Sequence, residues 1–352
     1  MTVETSEPGA LCTVVESAGS YLPQTVVRSS ELERVRGFTP GWCEDRAGIS
    51  ERRRAGPGEL SHHLGAEAAR SALAGAGVAA DEVDLILWSS TWTELLYPST
   101  GVFVKRELGL TRTVPVIEIR AACAGFIAML FMADPLLRCG AVRRVLCVAG
   151  ERGHECEQNH RAAAPLFGDA GAAVLLAARR HSRPTGVLYS RFYTAAAEAE
   201  LCVRTSGVPN RGAFELATAS DAAVESEPGN FTRAHWDGAS IFRNAVTCMG
   251  QATEDALSAL RLERDDIDHY LYHQANKKIL SSLCRQYSIP ASRVAQNIDL
   301  VGNTSSASVP LLLARELADG KISPGQKILM GAFGAGYAYG VVVYEVPDGG
   351  GA

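Results

Sequence analysis

Apolar and polar positions along the 352-residue chain follow two periods in turn. Residues 68–90, AARSALAGAGVAADEVDLILWSS, carry small and apolar residues at helical spacing. An acidic turn and an apolar run of about six residues follow. That order predicts an amphipathic helix and then a strand. The same order returns at 252–274, ATEDALSALRLERDDIDHYLYHQ, at a constant offset of 184. Ala72-Leu73 matches Ala256-Leu257, Asp81-Glu82-Val83-Asp84 matches Asp265-Asp266-Ile267-Asp268, and Leu87 matches Leu271. A second pair of blocks, 123–151 and 303–334, shares another order. Each reads as a small-residue turn, an apolar helix, a glycine (Gly140, Gly320) and a hydrophobic strand (145–149, 327–331). Two aligned blocks in one order predict a duplicated chain.

The helices expected at 125–137 and 307–317 are apolar nearly all round, so both are expected to be buried on every side. Pro135 and Pro310 fall inside them and should kink or shorten them. Strands alternating with helices indicate mixed α/β sheets. Two such halves, each with one buried helix, predict an α/β fold in five layers, α/β/α/β/α. The expected divisions are a tail over 1–10, a first half over 11–190, a variable insertion over 191–240 and a second half over 241–352.

Composition narrows the function classes. Apolar types make up 47 % and charged types 21 %, which excludes a mainly disordered chain. The net charge of −5 and the lack of a basic block argue against nucleic acid. The longest apolar stretch, 121–133, is too short to span a bilayer. No signal peptide is visible, and nine scattered Cys without a CxxC favour reduced thiols in the cytoplasm.

The repeat also gathers candidate chemistry. Cys123 lies just before the first apolar helix, with Asn303 as its expected counterpart; His273 ends the strand equivalent to the one ending at Ser89. A Cys at a helix N-terminus sees the positive end of the dipole, which favours the thiolate. A His can hydrogen-bond an oxyanion or move a proton. An Asn can stabilise an enolate oxygen without carrying charge. Taken singly, each has a structural reading: an inert core Cys, a satisfied His, and a turn Asn in GNTSS.

These residues sit in motifs that resemble the ketoacyl-acyl carrier protein synthase III family of the thiolase superfamily. The motifs are AACAGF (121–126), LFGDAGAAV (166–174), YHQANKKI (272–279), VGNTSSASVP (301–310) and GAFGAGYAYG (331–340). WCEDRAGISERR (42–53) and YPST (97–100) also fit, and the likeness runs from about 10 to 346. It implies a thiolase-like fold and a homodimer. It makes Cys123 the acylated nucleophile, with His273 and Asn303 stabilising the enolate formed on decarboxylation. Phe333 would shield the cysteine. The backbone N–H groups of Cys123 and Ala335 would form the oxyanion hole, although the family usually has Gly where Ala335 stands. Trp42, Arg46 and Arg161 would grip the coenzyme A nucleotide. Lys278 and Arg243 would meet an acidic carrier protein. Tyr97 would limit the acyl pocket, from its own subunit or the partner's. Acyl-CoA and acyl carrier protein are then the substrates, with no further cofactor. The likeness fades over 190–235, which implies a specialised relative, as in polyketide or other secondary metabolism.

The same chain offers other motifs. HECEQNH (154–160) fits no strong zinc pattern, so no metal is expected. GAFGAGYAYG has no helix after it and so is no dinucleotide fingerprint. His62-His63 reads as an exposed pair, and Trp88 and Trp92 as core or interface packing. A non-decarboxylating acyltransferase of the same fold would also use Cys123 and His273, and a degenerate scaffold would need neither. Hydroxymethylglutaryl-CoA synthase needs a Glu base where this chain has Thr91; Glu94 is offset.

Overall fold

The computed structural model describes residues 9–158, 164–196, 199, 202–204 and 234–348. The first half begins with β1 (Ala10–Tyr21), β2 (Thr25–Arg28), α1 (Ser29–Arg36), α2 (Trp42–Ala47), β3 (Glu51–Arg54) and α3 (Ser61–Ala76). It continues with β4 (Leu85–Ser89), α4 (Gly101–Glu107), β5 (Val116–Glu118), α5 (Gly125–Arg138), β6 (Arg144–Arg152) and β7 (Asp169–His181). Next come β8 (Gly186–Thr194), β9 (Cys202–Arg204), β10 (Ala234–Trp236), α6 (Gly238–Leu260) and β11 (His269–Tyr272). The last elements are α7 (Lys277–Tyr287), α8 (Ile298–Val301), α9 (Ser308–Ala318), β12 (Lys327–Gly334) and β13 (Ala338–Glu345).

The duplication is visible in the sheets. One sheet runs β1-β7-β6-β4-β5 and the other β11-β12-β13-β8. Matching β4, β6, β7 and β1 to β11, β12, β13 and β8 preserves the sense of every pairing. The first pair is parallel and the next two are antiparallel in both sheets. The division expected at residue 190 therefore falls inside β8, an edge strand of the second sheet. Most of the expected insertion, 191–240, lies outside the described residues.

Strand parity sets the layers, because successive side chains point to opposite faces. Leu85, Leu87, Val145 and Cys147 face inward onto α5 and α9, while Ile86, Trp88, Leu146 and Val148 face outward onto α3. In the second sheet Ile328 and Met330 face the same central helices. Leu329, Phe333, Val341 and Val343 face α6 and α7. Both faces of the inner strands are covered, which is why LILWS in β4 is buried throughout.

Burial on every side holds for α9 until its last residues and fails for the second half of α5. There Phe131, Met132 and Pro135 are exposed. Neither proline breaks its helix. Pro310 sits in the first turn of α9, where no intrahelical donor is needed, and Pro135 lies in the last turns of α5. Gly140 and Gly320 follow the two helices in left-handed conformations (φ 74° and 66°), as helix ends require.

Candidate active site

The 3-10 turn Ala122–Ala124 leads into α5, and the turn Ser305–Ala307 leads into α9. Each begins on a non-glycine residue with a positive φ: Ala122 at 45° and Ser305 at 47°. This equivalence corrects the sequence pairing. The backbone counterpart of Cys123 is Ser306, and Asn303 lies three residues earlier. The same offset of 183 makes Gly334, at the end of β12, the counterpart of Glu151 near the end of β6.

Cys123, His273, Asn303 and Phe333 line one cavity of about 110 Å³. Cys123 is part-buried, and its residue lines this space. Burial pushes its pKa up to about 12, against a lowering hydrogen bond from Ser305. Desolvation is the largest cause of the shift, so the resting group is the thiol. Its sulfur lies 3.3 Å from Ser305 Oγ.

His273 follows β11, and its N–H donates to the Gly331 carbonyl at 2.8 Å. The ring is buried, and neither ring nitrogen has a hydrogen-bond partner among the described residues. Burial lowers its pKa to about 3, so it is a neutral imidazole at physiological pH. Asn303 is fixed by its backbone to Leu166 and Gly168 at 2.8 and 3.0 Å. Its Oδ1 accepts the Ser305 N–H at 2.8 Å, which leaves the amide NH₂ for the cavity. Unpaired buried donors are costly, and they regain that cost when a ligand oxygen arrives. Phe333 packs edge-on against Tyr337, with ring centroids 5.1 Å apart.

Gly334 brings the Ala335 loop against Cys123. A Cβ there would come within 2.7 Å of the Ala121 carbonyl oxygen and 3.0 Å of the Cys123 nitrogen. No side chain fits between the two backbone segments expected to form the oxyanion hole. Gly334→Ala should therefore move the turn and lower the acylation rate about 100-fold. Stopped-flow acylation measured alongside a thermal melt checks this.

Several expected residues lie elsewhere. Trp42 stacks on Phe38 at 4.5 Å, and the Arg46 guanidinium lies 5.6 Å from the Trp42 ring centre, at the surface. Asn276 ties this helix to α7 through the Arg46 carbonyl at 2.9 Å. Lys278 shares a groove of about 430 Å³ with Lys277 and Arg285, and Arg243 is exposed on α6. Arg161 and His160 lie outside the described residues. Tyr97 is 85 % exposed and does not line the cavity of its own chain. His62 is buried rather than exposed, its ring tilted against those of His63 and Phe103. His154 is held by Asp169 at 2.5 Å. Glu94 accepts from the Ser61 N–H and hydroxyl at 2.6 and 2.5 Å, which keeps it out of the cavity.

The sequence reading missed Thr91, Trp92, Phe167 and Ser305, all of which line the cavity. Trp92 packs edge-on against Phe167 at 5.4 Å and walls one side. It also missed Glu151, fully buried beside the site. Parity could have found it, because Val145, Cys147 and Ala149 face the central layer and Glu151 continues their series.

Known proteins are similar to this chain in both fold and sequence. The profile of the 3-oxoacyl-[acyl-carrier-protein] synthase III family matches residues 117–196, and that of its C-terminal part matches 257–346. The β-ketoacyl-[acyl-carrier-protein] synthase III of Thiobacillus denitrificans is 33 % identical over 323 residues, 92 % of this chain and 95 % of that protein. The protein of that name from Brucella canis is 35 % identical over 332 residues, 94 % of this chain and 98 % of that one. The crystal structure of 3-oxoacyl-[acyl-carrier-protein] synthase III from Aquifex aeolicus superposes with a TM-score of 0.82 at 29 % identity, covering 95 % of this chain and 99 % of that one. A priming β-ketosynthase from a polyketide biosynthetic pathway gives 0.83 at 29 %, covering 98 % and 99 %. With this coverage, and with the duplicated thiolase-like fold, the chain belongs to the 3-oxoacyl-[acyl-carrier-protein] synthase III family.

Proposed function

We propose that this protein is a decarboxylative condensing enzyme. Cys123 takes an acyl group from acyl-CoA. A malonyl-type extender on a carrier protein then loses carbon dioxide. The enolate, hydrogen-bonded by His273 and Asn303, attacks the acyl-enzyme and forms a 3-ketoacyl thioester. One observation carries this reading: a neutral imidazole and a free amide NH₂ face the same small cavity as the thiol. Two uncharged donors suit a developing enolate. Simple transfer to an alcohol or amine instead needs a base on the acceptor, and a histidine held near pKa 3 is a weak one at neutral pH. The chemistry uses no cofactor beyond its thioester substrates.

The surroundings support the same substrates. Lys277, Lys278 and Arg285 offer positive charge in a groove suited to phosphate, and Arg243 and Lys278 are free to meet an acidic carrier. Leu95, Leu96, Tyr97 and Ile117 are exposed apolar side chains, and a second copy of the chain would cover them. The protein is read as cytoplasmic; among the described residues no helix is long and apolar enough to cross a membrane.

Carboxyl-labelled malonyl carrier protein, given with acyl-CoA, should release labelled carbon dioxide in step with 3-ketoacyl product. Acyl transfer without that release would favour the acyltransferase. We infer that the wall made by Trp92 and Phe167 bounds the acyl group. Trp92→Leu should raise kcat/KM for longer acyl-CoAs relative to acetyl-CoA by about 10–100-fold, read from a chain-length panel.

A further inference from the structure

We propose that Glu151 is a positioning residue: its buried carboxylate ties the Thr91–Trp92 wall of the cavity to the turn that orients Asn303. It thereby sets the enolate donor and the acyl wall against each other. The effect on condensation rests on the condensing reading of the cavity; the effect on the wall does not.

The tie is a set of hydrogen bonds to one side chain. Glu151 is fully buried near the end of β6. From the first half, the Thr91 N–H donates to its two oxygens at 3.0 and 2.9 Å, and the Trp92 N–H reaches Oε2 at 3.4 Å. From the second half, Ser306 donates to Oε1 with its N–H at 3.1 Å and its hydroxyl at 2.5 Å. One carboxylate therefore satisfies donors from both halves of the duplicated chain. Each of those buried N–H groups would be costly to leave unpaired.

Duplication explains why a side chain is needed there. At the equivalent place in the first half stands Gly334, which has no side chain to send to the Cys123 N–H. In the second half Glu151 does reach the equivalent N–H, that of Ser306. The first-half turn is left open for substrate, and the second-half turn is locked.

Both ends of the tie lead into the cavity. Thr91 and Trp92 line it, and Trp92 packs edge-on against Phe167. On the other side Ser306 follows Ser305, whose N–H holds the Asn303 amide oxygen at 2.8 Å. Ser305 Oγ also lies 2.6 Å from Thr91 Oγ1, so the two segments meet a second time beside the carboxylate. A shift of Ser306 would turn the Asn303 amide, and a shift of Thr91 would move the wall. The expected oxyanion donors, the N–H groups of Cys123 and Ala335, are not among the donors to Glu151. Loss of the tie should therefore fall on condensation and on acyl preference more than on acylation itself.

The test compares both half-reactions and the acyl preference in Glu151→Gln, which keeps the size of the side chain and replaces one acceptor oxygen with a donor. Rapid-quench rates with acetyl-CoA and carboxyl-labelled malonyl carrier protein, read with a thermal melt, should show acylation close to wild type. Release of labelled carbon dioxide should slow about 100-fold, the scale of a misplaced group near the chemistry. Acylation rates across a chain-length panel should shift toward longer acyl-CoAs by about 10-fold. A residue that only stabilised the fold would slow both half-reactions alike and leave the chain-length ratio unmoved. Ser306→Ala loosens the tie from the other side. It should slow carbon dioxide release about 10-fold and leave the chain-length ratio unchanged, and it decides the matter if Glu151→Gln does not fold. If the wild-type protein is acylated but releases no labelled carbon dioxide, the condensing reading fails, and the chain-length ratio in Glu151→Gln still decides the tie to the wall. Equal losses in both half-reactions of folded Glu151→Gln with a wild-type chain-length ratio, or wild-type carbon dioxide release in Ser306→Ala, would overturn the inference.

Discussion

Cys123→Ala should form no acyl-enzyme from acyl-CoA and should lose 3-ketoacyl product by about 10⁴-fold or more, the scale on which removing a covalent nucleophile disables a site. The fold should survive, because the change removes one sulfur that faces a cavity rather than a packed layer. Intact-protein mass after exposure to acyl-CoA, with a thermal melt, reads both parts. Because the thiol is held near pKa 12, the wild-type protein should also react sluggishly with thiol reagents under acidic conditions. A cysteine activated by the helix dipole alone would react there readily.

The second large effect falls on the other half-reaction. His273→Ala and Asn303→Ala should each lower condensation by about 10²–10³-fold, the usual loss of one oxyanion donor, while Cys123 still becomes acylated. The double variant should lose less than the product of the two, since both donors serve one oxygen. The pH profile should carry no limb from His273 between pH 5 and 8. Its folded pKa is lowered to about 3, so its neutral form already prevails across that window. Quenched-flow rates of acylation and of carbon dioxide release measure the two halves separately. Equal losses in both would mean that these residues act on the nucleophile, not on the enolate.

Most of the architecture was legible because the repeat is written in strong local signals. The helix, acidic turn and strand recur at one offset, and the inner strands are apolar on both faces. Register at the small-residue turns was not legible. AACAG and GNTSSAS have no periodic pattern to align them, and only the left-handed Ala122 and Ser305 show that Ser306, not Asn303, matches Cys123. The end of the first half was misplaced for a related reason: strand β8 belongs to a sheet assembled from residues some 80–160 positions later. The site trio came from ordered motifs, whereas its electrostatics did not. A helix N-terminus can be read from sequence, but the depth at which it is buried cannot, and burial reverses the expected shift of Cys123. Tyr97 remained ambiguous between its own cavity and a partner's until its exposure removed the first choice. Trp92 looked like packing because aromatic residues near strand ends usually are; the cavity beside it is a product of tertiary structure.

In the proposed mechanism one cavity serves both the acylation of Cys123 and its discharge by decarboxylative attack. Tandem mass spectrometry of the protein, after acyl-CoA and then after malonyl carrier protein, tests it most directly. The expected result is an acyl mass on Cys123 alone, stable until the malonyl thioester arrives and then lost as 3-ketoacyl product appears. An acyl mass on another residue, or one on Cys123 that the malonyl thioester fails to discharge, would contradict it.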